Sequence, residues 1–142
     1  MSEPNRRAVS VFGLGYVGCV SAACLASLGH RVIGVDANPQ KMEMLRNGMP
    51  PIVEDRIGEL TADVVKAGLL TVTDDVDAAV ADSDISLICV GTPSAATGNL
   101  STVFLEQVTT QIGAALRAKH DWHVVAFRST MLPGTSDGLL IP

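Results

Sequence analysis

Residues 8–36, AVSVFGLGYVGCVSAACLASLGHRVIGVD, decide how this chain folds. Ala8–Phe12 is a short apolar run rich in valine; it reads as a buried strand, being too short for a helix and followed at once by glycine. Gly13–Gly18 turns the chain, and Tyr16–Leu28 continues as a helix of small residues dominated by alanine, capped by Gly29. Arg31–Asp36 then reads as a second strand. Strand, helix and strand in this order form a βαβ unit whose two strands run parallel, because the helix carries the chain back to the end it started from.

Working outward, the same alternation continues. Asn38-Pro39 supplies an N-cap and a proline at the first helical position of Pro39–Asn47. A proline-containing loop, GMPPIVED at 48–55, leads to a helix over Ile57–Ala67 that Gly68 ends, and Leu70–Thr73 is a third, shorter strand. After the acidic turn Asp74-Asp75 a brief helix runs through Asp82. Ile85–Val90 has no polar residue beyond Ser86, as expected of a central strand buried on both faces. Gly91-Thr92-Pro93 stops it, and Val108, Ile112, Ala115 and Leu116 recur at helical spacing within a helix from Ser101 to Ala118. Trp122–Phe127 is the fifth strand, followed by a loop at Ser129–Gly134 and the start of another helical pattern before Pro142. The expected fold class is α/β: a doubly wound parallel sheet in three layers, one domain over 1–142, truncated after its fifth strand.

Composition excludes several function classes. Ten Lys plus Arg against fifteen Asp plus Glu give a net charge of −5 with no basic run, so no nucleic acid is expected as a partner. The polar start Met1–Arg7 has no signal-peptide core and the apolar runs are only strand-length, so no membrane is expected and the reading is cytoplasmic. Cys19, Cys24 and Cys89 form no CxxC pair and lie inside apolar runs, where free cysteine packs as a small hydrophobe; no metal site is read from them. His30, His120 and His123 have no carboxylate partner at a recognisable spacing, and Ser129 lacks a nucleophile-elbow sequence, so hydrolase chemistry is disfavoured.

Gly13-Leu14-Gly15-Tyr16-Val17-Gly18 is a GxGxxG placed between a strand and a helix, the context that makes it a dinucleotide-binding fingerprint. Gly13 makes the tight turn, Gly15 lets a pyrophosphate approach the backbone, and Gly18 lets helix and strand pack closely. The helix start then offers unpaired N–H groups and a positive dipole end to the phosphates. Asp36 ends the second strand roughly 20 residues beyond the glycines, where a carboxylate accepts hydrogen bonds from the adenosine ribose. Ala37 and Asn38 follow instead of an arginine, which favours NAD over NADP. This is the pattern of a Rossmann domain.

Other candidates keep two readings from the residues alone. Lys41 either leans over the ribose or is a solvated surface lysine. Thr92, at the carboxyl edge of the sheet, either touches the cofactor or simply forms the turn. Arg128-Ser129-Thr130 occupies the same edge, and a hydroxyl there projects toward the nicotinamide end of a bound dinucleotide. Glu54 and Asp55 are either solvated loop acids or part of a site.

Taken together, VFGLGYVG (11–18), VIGVDANPQK (32–41), PIVE (51–54), ICVGTPS (88–94) and RSTMLPGT (128–135) resemble the UDP-glucose/GDP-mannose dehydrogenase family, most of all its GDP-mannose 6-dehydrogenase branch. The resemblance implies an NAD-dependent oxidation of a sugar nucleotide, GDP-mannose or UDP-glucose, at C6 to the carboxylate with two NAD in succession. It implies that Gly13, Gly15, Tyr16, Val17 and Gly18 line the pyrophosphate, that Asp36 and Lys41 hold the adenosine ribose, and that Thr92 and Ser129 meet the cofactor. Thr130 would face the reacting carbon, where the family threonine positions a water or the substrate oxygen, and Glu54 would lie near the active site.

The sequence departs from the family in two respects. Where the loop of the family continues with Pro-Gly-Leu, Asp55-Arg56-Ile57 stand here. The downstream glutamate, lysine and asparagine of the family, its cysteine nucleophile, its connecting helix and its sugar-nucleotide-binding domain have no counterpart up to Pro142, and Cys19, Cys24 and Cys89 are rejected as substitutes. The expectation is therefore an inactive NAD-binding fragment of a homodimeric enzyme, against the alternative of a non-catalytic NAD-sensing or interaction module.

Overall fold

The computed structural model describes residues 5–91 and 103–129. Ten elements follow one another: β1 (Ala8–Phe12), α1 (Tyr16–Ser27), β2 (Arg31–Val35), α2 (Pro39–Arg46), α3 (Ile57–Lys66), β3 (Leu70–Thr73), α4 (Val76–Ala81), β4 (Ile85–Ile88), α5 (Val103–Arg117) and β5 (Val124–Phe127). The strands form one sheet in the order β3-β2-β1-β4-β5, every pair parallel. Strand order reverses beside β1, and a crevice opens there at the carboxyl ends of β1 and β4.

Period-two alternation divides the core between the two faces of the sheet. Val9, Val11, Val32 and Leu70 pack with Ala22 and Ala26 of α1, Leu45 of α2 and Val64 of α3. Phe12, Ile33, Val35 and Ile88 pack on the other face with Ala79 and Val80 of α4 and Leu105 and Ile112 of α5. Alanine along α1 lets that helix lie close to the strands. Its end follows the expected design: Gly29 takes a φ of 96°, its N–H bonds Ala26 O at 3.0 Å and the His30 N–H bonds Leu25 O at 3.3 Å. At the start of α2 the Asn38 side chain accepts from the N–H groups of Gln40 and Lys41 at 3.0 and 3.3 Å.

Three expectations are corrected. β4 stops at Ile88 and not at Val90, because its partner β1 ends at Phe12 and turns away at Gly13. β5 begins at Val124 and not at Trp122: Val124 pairs with Ile85, the first residue of β4, so the two residues before it have no strand residue to pair with. Trp122 is instead exposed, with the Arg7 guanidinium 5.7 Å from its ring centroid. Cys24 is exposed, whereas Cys19 is buried, because Cys24 lies on the outward side of α1. The residues beyond Ser129, where a further helical pattern was read, lie outside the described residues.

Below the crevice, a chain of hydrogen bonds runs through the interior. Lys119 Nζ has only protons to give, and it gives them to Val80 O at 2.9 Å, to Ser83 O and to His123 Nδ1 at 3.0 Å. His123 Nδ1 also lies 3.2 Å from Ser83 O; with Nδ1 accepting from Lys119, the ring proton is on Nε2, which donates to Ser86 Oγ at 2.8 Å. Ser86 then donates to Ser10 Oγ at 2.8 Å, Ser10 to Ser83 Oγ at 2.9 Å, and Ser83 to Ala79 O at 2.7 Å. Every proton in the series has an acceptor. No buried side-chain polar atom among the described residues lacks a partner.

Protonating His123 would turn Nδ1 into a donor facing an ammonium group. Burial lowers the pKa of His123 below 6.5 and the Lys119 charge lowers it further, against smaller opposing pulls from the Ser83 carbonyl and the Asp84 charge. A histidine whose pKa falls on folding binds fewer protons in the native than in the unfolded state, so its contribution is intact above 6.5 and stability declines as pH drops below it. Thermal melts from about pH 7.5 to about pH 5.5 should show Tm falling, and His123→Gln, which keeps one donor and one acceptor, should flatten that slope. A variant whose slope parallels the wild type would remove His123 from the account.

Candidate functional site

The crevice is built around the turn from β1 into α1. The Gly13 N–H bonds Val35 O at 2.9 Å, which ties the turn to the end of β2. Gly13 adopts a φ of 92°, and a Cβ there would meet the Cys89 carbonyl and Val90 Cα at 2.9 Å. Gly18 is tighter still, since its Cβ would lie 1.7 Å from Gly13 O. Gly15 is different: its φ is −78° and a Cβ would meet nothing within 4 Å. Folding thus requires glycine at 13 and 18, but at 15 the only gain from a missing side chain is open space above the backbone.

That space lies at the start of α1. Gly15 is the N-cap, no side chain caps the helix, and its first turn holds no acidic residue. The leading N–H groups have no intrahelical acceptor, so they and the helix dipole face the crevice. Tyr16 and Val17, exposed at the first two helical positions, line it.

Asp36 closes the side of the crevice at the end of β2. Its Oδ2 accepts the Leu14 N–H at 2.8 Å and its Oδ1 accepts the Asn38 N–H at 2.8 Å. One bond locks the carboxylate to the glycine turn, the other to the start of α2, and each oxygen keeps a lone pair for a ligand hydroxyl. Lys41 Nζ stands 4.0 Å from Oδ2 with its side chain 36% exposed, so it lines the crevice as a neighbouring charge.

On the other side, Ser129 Oγ donates to Val90 O at 2.7 Å, which binds the end of β5 to the end of β4 and leaves the hydroxyl oxygen as an acceptor. Glu54 stands apart from the crevice lining, but its Oε2 accepts the Tyr16 hydroxyl proton, so the 51–56 loop reaches back to the glycine turn. This hydrogen bond, and then the Glu54 charge, raise the pKa of Tyr16. Thr92 and Thr130 lie outside the described residues.

Burial disfavours the thiolate at Cys19 and Cys89. Burial pushes Cys19 up to about 11, and its Sγ contacts Leu14 O at 3.1 Å; burial also raises Cys89, against a smaller opposing pull from Arg128. No metal-binding cluster of His, Cys, Asp and Glu occurs among the described residues.

Sequence reasoning missed part of the lining. Val103 and Phe104, on the first turn of α5, are 55% and 53% exposed and line the crevice with Gln107 and Val76. They sit off the buried stripe of α5, and an apolar pair on a solvated helix face was the available signal. Arg128 was noted for its place at the sheet edge but given no role; it is the second cation, after Lys41, among the described lining residues.

The family departure at Asp55-Arg56-Ile57 has a structural expression. Arg56 has a φ of 68° and is the one non-glycine residue with positive φ among the described residues. The Ile57 N–H bonds Glu54 O at 3.3 Å across the turn, so Arg56 holds a conformation that suits glycine better.

Comparison with known proteins agrees with this architecture. Residues 7–142 match the model of the UDP-glucose/GDP-mannose dehydrogenase family, NAD binding domain. The chain is 48% identical over 134 residues to GDP-mannose 6-dehydrogenase of Azotobacter vinelandii, covering 94% of this chain and 31% of that protein. It superposes with a TM-score of 0.93 on a ternary complex of GDP-mannose dehydrogenase from Pseudomonas aeruginosa, at 47% identity over 94% of this chain and 31% of the other. A UDP-glucose dehydrogenase from the archaeon Pyrobaculum islandicum gives a TM-score of 0.92 at 40% identity over 99% of this chain and 33% of the other. The chain spans about a third of the length of the relatives it matches.

The glycines separate in a test. Gly18→Ala should cost about 3 kcal/mol or more, because the clash is with backbone. Gly15→Ala should change stability by no more than about 1 kcal/mol, yet weaken NAD binding at least about tenfold by placing a methyl group over the amides. Equal NAD affinity in Gly15→Ala and the wild type would exclude the phosphate role. Arg56→Gly should stabilise the fold by about 0.5 to 1 kcal/mol in denaturant melts, since release from left-handed strain outweighs the added chain entropy.

Proposed function

The chain belongs to the UDP-glucose/GDP-mannose dehydrogenase family as its NAD binding domain, and from that premise we propose how its residues hold the cofactor and which reaction they serve. The pyrophosphate lies on the first turn of α1, held by the backbone of Gly13, Gly15, Tyr16, Val17 and Gly18. The adenosine ribose donates its hydroxyls to Asp36, with Lys41 beside it. A 2′-phosphate in place of the ribose hydroxyl would meet that carboxylate, so NAD binds in preference to NADP. Thr92 and Ser129 meet the nicotinamide half. Bound there, NAD accepts a hydride.

For the whole protein we propose oxidation of the C6 alcohol of a sugar nucleotide to the carboxylate, with water consumed and two NAD reduced in succession. GDP-mannose is favoured as the substrate by the 48% identity to a GDP-mannose 6-dehydrogenase, and UDP-glucose is the competing sugar nucleotide. Thr130 and Glu54 serve the reacting end, Thr130 by orienting the substrate oxygen or a water and Glu54 from the loop held against Tyr16. A homodimer in the cytoplasm completes the proposal. No helix among the described residues is long and apolar enough to cross a membrane.

One observation carries the cofactor reading. Asp36 is locked by two backbone N–H groups, one from the glycine turn itself, so the carboxylate and the phosphate site hold a fixed relation. Calorimetric titration of this chain should show NAD binding more tightly than NADP by at least about tenfold, and Asp36→Ala should weaken NAD by about 10- to 100-fold through loss of charge-assisted hydrogen bonds. Equal affinity for the two cofactors, or an Asp36→Ala variant that binds NAD normally, would refute the proposed ribose contact.

A further inference from the structure

We propose that Tyr16 is a positioning residue: its phenol, donated to Glu54 Oε2, pins the 51–56 loop against the first turn of α1 and holds the Glu54 carboxylate beside the glycine turn. The proposal rests on the reading of Glu54 as a residue of the reacting end.

The loop needs such a tether. Ile52 packs against the core and Ile57 is buried, but Val53, Glu54, Asp55 and Arg56 between them are all exposed, with Val53 fully so. No side-chain burial orders these four residues. Three bonds do: the Leu60 N–H to Arg56 O at 3.0 Å, the Ile57 N–H to Glu54 O at 3.3 Å, and the Tyr16 phenol reaching across 38 positions of sequence. The Ile57 bond fixes the backbone of Glu54 and the Tyr16 bond fixes its carboxylate.

Tyrosine suits the task at this position. A phosphate on the start of α1 needs only the backbone of residue 16, and the ring, 56% exposed, fills no core. The side chain is therefore available for a second task. A phenol donates one hydrogen bond to a carboxylate without cancelling its charge, as a lysine or arginine would. The Glu54 carboxylate is thereby oriented through one oxygen, Oε2.

Tyr16 is the sole tyrosine of the sequence, so tyrosinate absorbance reports this group alone. In the wild-type chain the titration midpoint should lie above 10.0, and Glu54→Gln should bring it back toward 10.0, with circular dichroism recording that the fold survives the range. Tyr16→Phe removes one oxygen and keeps the ring and the backbone, so its circular dichroism should match that of the wild type. It should also speed hydrogen exchange at the Ile57 amide about tenfold with Val11 unchanged, and Glu54→Gln and the double variant should match it and go no further.

A wild-type midpoint that Glu54→Gln does not move, or exchange at Ile57 that Tyr16→Phe leaves unaltered, would overturn the proposal. Failure of the cofactor reading looks different: the wild type itself binds no NAD, while the tyrosine midpoint still responds to Glu54→Gln.

Discussion

The rest of this structure depends on the contact between Gly18 and the Gly13 carbonyl, where even a methyl group would fall 1.7 Å from the oxygen. It brings α1 down onto the turn that launches it. With α1 seated there, its uncapped start can only face the carboxyl edge of the sheet, and its alanine face can only meet β1 and β2. The parallel arrangement of the strands follows from where the helix delivers the chain. Fold and binding crevice are thus fixed by the same close approach.

Two sets of polar groups work at opposite levels of this sheet, under different rules. Near the carboxyl edge, Asp36 is part-exposed, and its two backbone bonds orient a charge that remains open to a ligand. Within the sheet, Ser10, Ser83 and Ser86 are almost wholly buried, and the relay from Lys119 through His123 uses every proton they have. A buried polar group without a partner costs about 1–3 kcal/mol, so a relay of this kind is stable only when complete. The lower set holds β1, β4 and the approach to β5 in register; the upper set is left able to bind.

What could be read from the sequence was local. All ten elements were legible because each announces itself within a few residues, through valine runs, through Asn38-Pro39, or through glycine after a helix. The glycine motif and Asp36 were legible because their spacing is the signal. Strand ends were not: Trp122 and His123 look like strand residues, and only the position of Ile85 in the neighbouring strand decides that pairing starts at Val124. The same holds for the serine relay, whose members are joined across separations of 73, 76 and 37 residues. Val103 and Phe104 were hidden for another reason, since an apolar residue on a helix is ordinarily assigned to the core.

The loop at 51–56 shows which of its parts determines its shape. If the left-handed turn existed because a glycine allowed it, replacing that glycine with arginine would let the backbone relax into an ordinary conformation. Arg56 instead keeps a φ of 68°, against a cost of about 1–2 kcal/mol for a residue with a Cβ. Something must hold it there, and its neighbours supply the constraint: Ile57 is 6% exposed in the core at the start of α3, Ile52 packs on the other side, and the span between them is too short to take a different route. Burial at the two ends dictates the turn, and the turn presents Glu54 to Tyr16. The geometry of the acidic loop is therefore a property of the hydrophobic core beneath it, and it holds although Arg56 forms the turn under strain that a glycine would not feel.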